Sequence, residues 1–261
     1  MASSSTRRPT PNSTEELAKV AIDLNLTTLA DALPGLLASA ETDAQSYTDF
    51  ALALLRTESA ARKDRKLQRS LRRSRLGTVE GLEGFDFSAR PQLNPRVVRE
   101  LLNCRFVEEK RNVLCLGKPG LGRTRVAKAI AQAACLAGYS TLCTLAAEML
   151  EELQASYADS TYPRTFLRYV KPQVLLLDEF GYEPFGIAAT SHLFRIVAAR
   201  HGQTATILTA NTGFSKWKNL FPSEAAAIAT VDRIIDRATI LRFTGKSFRN
   251  PKEISGAPLD D

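Results

Sequence analysis

The chain has 261 residues, a net charge of +7 and a pI near 9.4, and 44% of its residues are hydrophobic. Its length and apolar content are those of a globular protein with one large domain, or one core with a small appendage. It has no run of 18 apolar residues and no apolar core of a secretory signal near its start, so we expect a cytoplasmic protein without a membrane partner. The cysteines lack C-x-x-C spacing and are expected to be buried thiols, not disulfides or zinc ligands. They are Cys104, Cys115, Cys135 and Cys143.

The N-terminal part of the chain predicts a small helical domain. The first twelve residues are rich in Ser, Thr and Pro and are expected to be disordered. A capping-box pattern predicts a helix from Ser13. A second short helix is expected over residues 29–37 with an interruption at Pro34, and a third begins near Thr42. Together with the basic stretch described next, these helices predict an all-α domain over residues 13–76.

The most basic stretch of the chain spans residues 62–75. It has eight basic side chains and one acidic one, Asp64, so its net charge equals that of the whole chain. Like charges at i,i+4 spacing destabilise a helix, and a helix that tolerates them favours binding to nucleic-acid phosphates. A solvated charged helix or linker is the alternative, while the few leucines argue against a membrane surface. The candidate DNA-binding residues are Arg62, Lys63, Arg65, Lys66, Arg69, Arg72, Arg73 and Arg75.

Residues 77–250 predict a second domain, followed by a tail at 251–261. A helix starts at Asn94, and apolar strands then alternate with helical segments. The predicted strands are 112–116, 140–144, 173–178, 204–209 and 238–243. The predicted helices between them are 124–137, 146–156, 161–170, 188–201, 214–220 and 223–236. This alternation predicts an α/β fold in which helices cover both faces of a parallel sheet.

A glycine-rich turn follows the first of these strands at residues 117–124. It fits the phosphate-loop pattern G-x-x-x-x-G-K-[ST] except that Arg123 occupies the lysine position. The glycines let backbone N–H groups turn toward a phosphate, and the next helix adds the partial positive charge of its N-terminus. An ordinary tight turn is the alternative. The candidate nucleotide-binding residues are Gly117, Lys118, Pro119, Gly120, Leu121, Gly122, Arg123, Thr124 and Arg125.

Two carboxylates, Asp178 and Glu179, lie at the end of a strand with four consecutive apolar residues. Ligands of open α/β sheets bind at this edge. In a nucleotide hydrolase, Asp178 and Thr124 hold Mg²⁺ and Glu179 polarises the attacking water. A strand that ends in a solvated acidic pair is the alternative.

Three further side chains are candidates for the chemistry or for DNA contact. Asn211 follows another buried strand, and it is placed to orient the attacking water if that strand neighbours the phosphate loop. Arg233 is a candidate for an arginine supplied to the nucleotide of a neighbouring subunit. Its alternative role is a surface ion pair with Asp232 or Asp236. Trp217, flanked by two lysines, is interpreted as a core residue, with DNA contact as the alternative.

The order of these motifs resembles the IstB transposition-helper ATPases, relatives of the DnaC-type helicase loaders in the AAA+ superfamily. The matching segments are residues 82–87, 117–124, 178–182, 207–211, 214–217, 232–233 and 247–249. The resemblance spans about residues 40–250. It implies an AAA+ core, ATP with Mg²⁺, homo-oligomers that share nucleotide sites on duplex DNA, and a transposase partner. The short segment after the last predicted strand leads us to expect no C-terminal helical lid.

Arg123 departs from this family, which has lysine there. Lysine is a compact point charge, whereas arginine is a planar fork with a longer reach. We therefore expect nucleotide binding to persist and hydrolysis to slow. Competing functions are a helicase loader and a DNA scaffold that uses ATP only as structural glue. A small-molecule kinase is disfavoured because the basic stretch would then have no role.

Overall fold

The computed structural model describes residues 11–247. The chain divides into two compact units, Met1–Arg69 and Ser70–Asp261. Residues 1–10 and 248–261, which include most of the predicted disordered start and all of the predicted tail, lie outside the described part. Within that part, no helix is long and apolar enough to cross a lipid bilayer.

The first unit is helical. It contains α1 (Pro11–Asp23), α2 (Thr27–Thr42) and the larger part of α3 (Tyr47–Ser74), and α1 packs against α2. The predicted start of α1 at Ser13 is wrong by two residues, because the helix begins at Pro11. Proline suits a first helical position, where its fixed φ matches the helix and its missing N–H would have had no partner.

Two other expectations for this unit are wrong. The predicted interruption at Pro34 is absent, since α2 continues through it, and the neighbouring Leu33 is 1% exposed. Burial of that helix face offsets the local cost of the proline. The third helix starts at Tyr47, not near Thr42, because the Ser46 hydroxyl accepts a hydrogen bond from the Asp49 N–H at 3.1 Å and so caps its first turn. It then continues through most of the basic stretch, so the third helix and the basic stretch are one helix.

The second unit matches the predicted alternation closely. Its helices are α4 (Pro95–Leu102), α5 (Arg105–Glu108), α6 (Arg123–Leu136), α7 (Ala146–Ala155), α8 (Tyr162–Val170), α9 (Ile187–Arg200), α10 (Phe214–Trp217) and α11 (Glu224–Ile235), with a short 3₁₀ turn at Lys218–Leu220. Its strands are β1 (Val113–Gly117), β2 (Thr141–Leu145), β3 (Val174–Phe180), β4 (Ala205–Ala210) and β5 (Thr239–Phe243). The Asn94 side chain caps α4 by accepting a hydrogen bond from the Arg96 N–H at 2.9 Å, as its position before the helix predicts.

The five strands form one parallel sheet in the order β2-β3-β4-β1-β5. Alternate residues of β1 to β4 enter two separate cores, whereas β5 contributes Leu241 and Phe243 to the first of them. On one face the strands pack with α4 and α6, and on the other with α7, α9 and α11. The predicted α/β fold with helices on both faces is therefore confirmed. Leu76 belongs to the first of these cores. The two compact units meet after Arg69. The domain boundary predicted after residue 76 stays a prediction.

Candidate functional site

The glycine-rich turn connects β1 to α6 at the carboxyl edge of the sheet. Gly122 lies just before α6 with φ 88°, and a Cβ there would come within 2.6 Å of the Phe85 ring. Gly117 packs so tightly on β5 that a Cβ would lie 2.3 Å from the Phe243 carbonyl oxygen. Glycine is thus required at both ends of the loop, once for backbone conformation and once for close approach. The N-terminus of α6 faces the space that the loop surrounds.

The acidic pair at the end of β3 meets this loop. The Thr124 hydroxyl donates a hydrogen bond to Asp178 Oδ1 at 3.0 Å, and the Thr209 hydroxyl donates to the same oxygen at 2.5 Å. Asp178 is buried, whereas Glu179 is exposed and lines the cleft described below. The two carboxylates therefore have different surroundings, and the alternative of a solvated acidic pair does not hold for Asp178.

Asn211 joins these residues because β4 lies between β1 and β3 in the sheet. This is the arrangement on which its predicted role depended. Its amide oxygen Oδ1 is buried and accepts no hydrogen bond from residues 11–247. A buried acceptor without a donor is costly, and a water molecule or ligand group bound in the cleft would satisfy it.

A cleft of about 1010 Å³ lies in front of the loop. Six of the predicted nucleotide-binding residues line it, together with Glu179 and Asn211; the six are Pro119, Gly120, Gly122, Arg123, Thr124 and Arg125. Lys118 is exposed outside it, and the buried Leu121 supports the loop from behind. Burial raises the pKa of the Cys115 thiol, under the loop, to about 12, so that this thiol is neutral at physiological pH.

Sequence reasoning missed the opposite wall of the cleft. Glu80, Phe85 and Asp86 of the segment before α4 line it, as does Tyr182 after β3, which is 74% exposed. Hydrogen bonds from the Ser88 hydroxyl and the neighbouring backbone N–H groups hold the pKa of Asp86 below its usual range. The Phe-Asp-Phe sequence was the available signal, but only the fold brings it next to the phosphate loop.

Two arginines fasten the loop to its surroundings. The Arg125 guanidinium donates to the carbonyl oxygens of Gly81 and Glu83 at 2.7–2.9 Å, so this predicted ligand-binding side chain is engaged by the protein itself. The buried Arg90 donates to the Leu121 carbonyl at 2.9 Å and to the Lys246 carbonyl at 2.9 Å. Arg90 was not a sequence candidate. Arg125 thus connects the start of α6 to the segment before α4. Arg90, which belongs to that segment, connects it to the loop and to the segment after β5.

Arg233 and Trp217 lie elsewhere. Arg233 does not line the cleft of its own chain; its guanidinium lies 5.0 Å from the Phe194 ring centroid and donates to the Ala229 carbonyl. The Asp236 carboxylate instead lies within hydrogen-bond distance of His201 Nε2, at 2.8 Å. Trp217 is fully buried and donates to the Thr212 carbonyl, which confirms its interpretation as a core residue.

The residues at this edge fit magnesium with a nucleotide phosphate. Thr124 and Asp178 already form a contact, and Mg²⁺ needs only one or two protein oxygens when phosphate oxygens and waters complete its shell. Within residues 11–247 there is no cluster of three or more His, Cys, Asp and Glu residues that could hold a metal by itself. All four cysteines are free and buried, as expected.

The basic stretch has an acidic partner in the preceding turn of α3 that sequence reasoning missed. The Glu58 carboxylate, one turn earlier on α3, forms ion pairs with Arg62 at 3.0 Å and Arg65 at 2.7 Å, and Arg65 also donates to the Thr28 hydroxyl. Burial raises the pKa of Glu58, but hydrogen bonds from Arg62, Arg65 and a backbone N–H outweigh this and hold it below its usual value. The remaining six basic residues are exposed; they are Lys63, Lys66, Arg69, Arg72, Arg73 and Arg75.

Comparison with known proteins identifies the family of the chain. A sequence model of the family described as "IstB-like ATP binding protein" matches residues 19–255. The chain belongs to this family. The match includes the phosphate loop, the acidic pair and the basic stretch.

Proteins of several bacteria that are named for insertion sequences are similar to this IstB-like chain. A protein of Geobacillus stearothermophilus, named for ATP binding and insertion sequence IS5376, is 31% identical over 87% of this chain and 90% of its own length. One of Pseudomonas aeruginosa, named for ATP binding and insertion sequence IS21, is 34% identical over 78% of this chain and 77% of its own length.

Solved structures support the fold of the IstB-like chain. A crystal structure of DnaI is similar with a TM-score of 0.54 and 22% identity, over 65% of this chain and 92% of that one. A DNA replication initiation factor gives a TM-score of 0.52 at 17% identity, over 62% of this chain and 49% of that one. Together with the family match, this likeness agrees with the AAA+ phosphate-loop core that the resemblance implied.

Proposed function

We propose that this IstB-like chain is an ATP-dependent, DNA-binding regulator of transposition. It binds ATP with Mg²⁺ in the cleft at the phosphate loop, assembles on duplex DNA and recruits or activates a transposase. The observation that carries the proposal is that Thr124, Glu179 and Asn211 line one cleft, while Thr124 is also hydrogen-bonded to Asp178.

The side chains of the cleft divide the work of phosphoryl transfer. Backbone N–H groups of the loop and the N-terminus of α6 bind the phosphates. Glu179 accepts a proton from the attacking water, and the unsatisfied Asn211 Oδ1 accepts a second hydrogen bond that orients it. Thr124 and Asp178 would hold Mg²⁺, which would supply positive charge to the phosphate oxygens. Arg123 adds charge at the lysine position with a different geometry, so hydrolysis is slow.

DNA binding and assembly use residues outside the cleft. The exposed basic side chains of residues 63–75 pair with the phosphates of duplex DNA. Arg233, which lies away from the cleft of its own chain, acts on the nucleotide of a neighbouring subunit. Relatives named for insertion sequences favour a role in transposition over helicase loading. A transposase is therefore the proposed protein partner.

The test compares the chain with Glu179→Gln in phosphate release with and without duplex DNA. We expect slow, DNA-stimulated hydrolysis in the parent and a loss of about 10²- to 10⁴-fold in the variant, with ATP affinity retained, because a general base contributes that much. Glu183→Gln, an exposed carboxylate outside the cleft, is the matched control and should hydrolyse like the parent. Equal rates in Glu179→Gln and parent would contradict the assigned chemistry.

A second measurement addresses the partner. Purified transposase and purified replicative helicase are presented separately to the chain bound to DNA with ATP. Retention of the transposase alone supports the proposal, and retention of the helicase alone would favour a helicase loader.

A further inference from the structure

The acidic pair of β3 sits in an irregularity of the sheet. Leu177 pairs with Leu208, and Phe180 pairs with Ala210, so β3 has one more residue than β4 between these two positions. Asp178 and Glu179 together therefore face a single residue of β4, Thr209. Such a bulge bends the strand locally and changes the direction of its side chains. Glu179 has a φ of 58°, a left-handed conformation that non-glycine residues rarely adopt.

The Thr209 hydroxyl joins both residues of this bulge. It accepts a hydrogen bond from the Glu179 N–H at 3.1 Å and donates one to Asp178 Oδ1 at 2.5 Å. A bulged residue loses its regular partner in the strand ladder, and a buried N–H without an acceptor is costly. The side chain of Thr209, which is 1% exposed, supplies that acceptor in place of a strand carbonyl.

The same hydroxyl also determines how Asp178 meets the phosphate loop. Asp178 Oδ1 accepts hydrogen bonds from Thr124 and Thr209. Two hydroxyl donors on one oxygen fix the carboxylate between the ends of β3 and β4 and the start of α6. Valine has nearly the shape of threonine but neither donates nor accepts, so it would leave Asp178 Oδ1 with Thr124 as its one hydroxyl donor and would remove the acceptor of the Glu179 N–H.

We infer that Thr209 is a positioning residue, which orients Asp178 toward magnesium and holds the strained backbone that aims Glu179 into the cleft. It is not among the residues that line the cleft, and it acts through these two residues. The inference rests on the proposed function for its catalytic part, while the hydrogen bonds on which it depends exist in the ligand-free chain. Partners behind metal-holding carboxylates typically contribute about 10- to 100-fold to metal affinity or activity.

The experiment uses the full chain with Thr209→Val, Thr209→Ser and the control Thr141→Val. Thr141 is a buried strand threonine at the start of β2 whose hydroxyl donates to the Tyr139 carbonyl. Two readouts need no turnover. Hydrogen exchange of the peptide that contains Glu179 is measured in the ligand-free chain, and the binding of a fluorescent ATP analogue is titrated with Mg²⁺. Phosphate release is the third readout.

In Thr209→Val we expect faster exchange at Glu179, a half-saturating Mg²⁺ concentration raised about 10- to 100-fold, and a similar fall in kcat. Analogue binding without Mg²⁺ should stay within about twofold, since the loop N–H groups are intact. Thr209→Ser, which keeps the hydroxyl, should restore all three values, and Thr141→Val should match the parent.

Thr209→Val with the exchange and Mg²⁺ dependence of the parent would overturn the inference, and so would Thr209→Ser as impaired as Thr209→Val. If the parent binds the analogue with Mg²⁺ but releases no phosphate, the proposed hydrolysis fails. The Mg²⁺ titration and the hydrogen exchange then still decide the role of Thr209.

Discussion

The Arg123 guanidinium stands where a phosphate loop ordinarily has an ammonium group. It is the first residue of α6, and it lines the cleft beside Thr124. A planar fork of fixed geometry cannot place its charge at the transferring phosphate as a lysine does, although it keeps a positive charge near the ground-state phosphates. Its largest effect is therefore expected in the transition state, not in binding.

Arg123→Lys should raise kcat by about 10- to 1000-fold, a range that follows from the effect of one well-placed donor on a developing charge. ATP affinity should change much less, because Thr124 and the loop N–H groups are unaltered. Phosphate release and equilibrium nucleotide binding measure the two quantities. Arg111→Lys, an arginine ion-paired with Glu109, controls for the substitution itself. A kcat within about twofold of the parent would mean that arginine serves this loop as well as lysine.

At the scale of single elements, α3 combines a structural part and a charged part. Arg62 and Arg65 are paired with Glu58, whereas Arg72 and Arg73 in the last turn of α3 are exposed. The basic residues are therefore not equivalent. Changing the first two alters the first unit itself, and changing the later ones tests DNA binding more cleanly.

Reversal of Arg69, Arg72 and Arg73 to Glu should weaken binding to duplexes of any sequence. It should also flatten the dependence of log K on log salt by about 0.9 for each DNA phosphate that the variant no longer neutralises. Fluorescence anisotropy over a range of salt concentrations measures both. The charge-matched control reverses three exposed arginines outside the basic stretch, Arg96, Arg99 and Arg164. Equal affinity and slope in the parent and the first triple variant would contradict a DNA-binding role of the basic stretch.

At the scale of the whole molecule, the proposed hydrolytic site draws on two copies of the chain. Its described lining includes Arg123 and Arg125, of which Arg125 is bonded to backbone carbonyls. Arg233, the candidate for a further cation, lies over Phe194 away from the cleft. A nucleotide site shared with a second copy, as proposed above, would bring Arg233 to a cleft that it does not line in its own chain.

Arg233→Ala should reduce hydrolysis and leave nucleotide binding by single chains nearly unchanged. When it is mixed with Glu179→Gln, part of the activity should return, because each chain supplies the residue that the other lacks. Phosphate release is measured across mixing ratios. In the matched control, Arg233→Ala is mixed with a chain carrying both substitutions, where no Arg233 is present and no recovery is expected. Absence of recovery in the first mixture, in assemblies shown to exchange subunits, would argue against a shared site.

Local sequence was sufficient for most of the second unit and for the chemistry of its loop. The strand, glycine turn and helix around residues 117–124 follow from neighbouring residues, as do the buried strand before Asp178 and the cap at Asn94. Hydrophobic periodicity and turn chemistry act over a few residues, so they can be read along the chain. The same information predicted a parallel sheet with two covered faces.

Tertiary structure alone decided which of these parts meet. The position of β4 between β1 and β3, the bulge opposite Thr209 and the bonds of Arg90 and Arg125 join residues far apart in sequence. Packing likewise allows α2 to continue through Pro34, where local preference predicts that the helix ends. Strand order and side-chain partners depend on the free energy of long-range contacts, which a pattern of near neighbours does not contain.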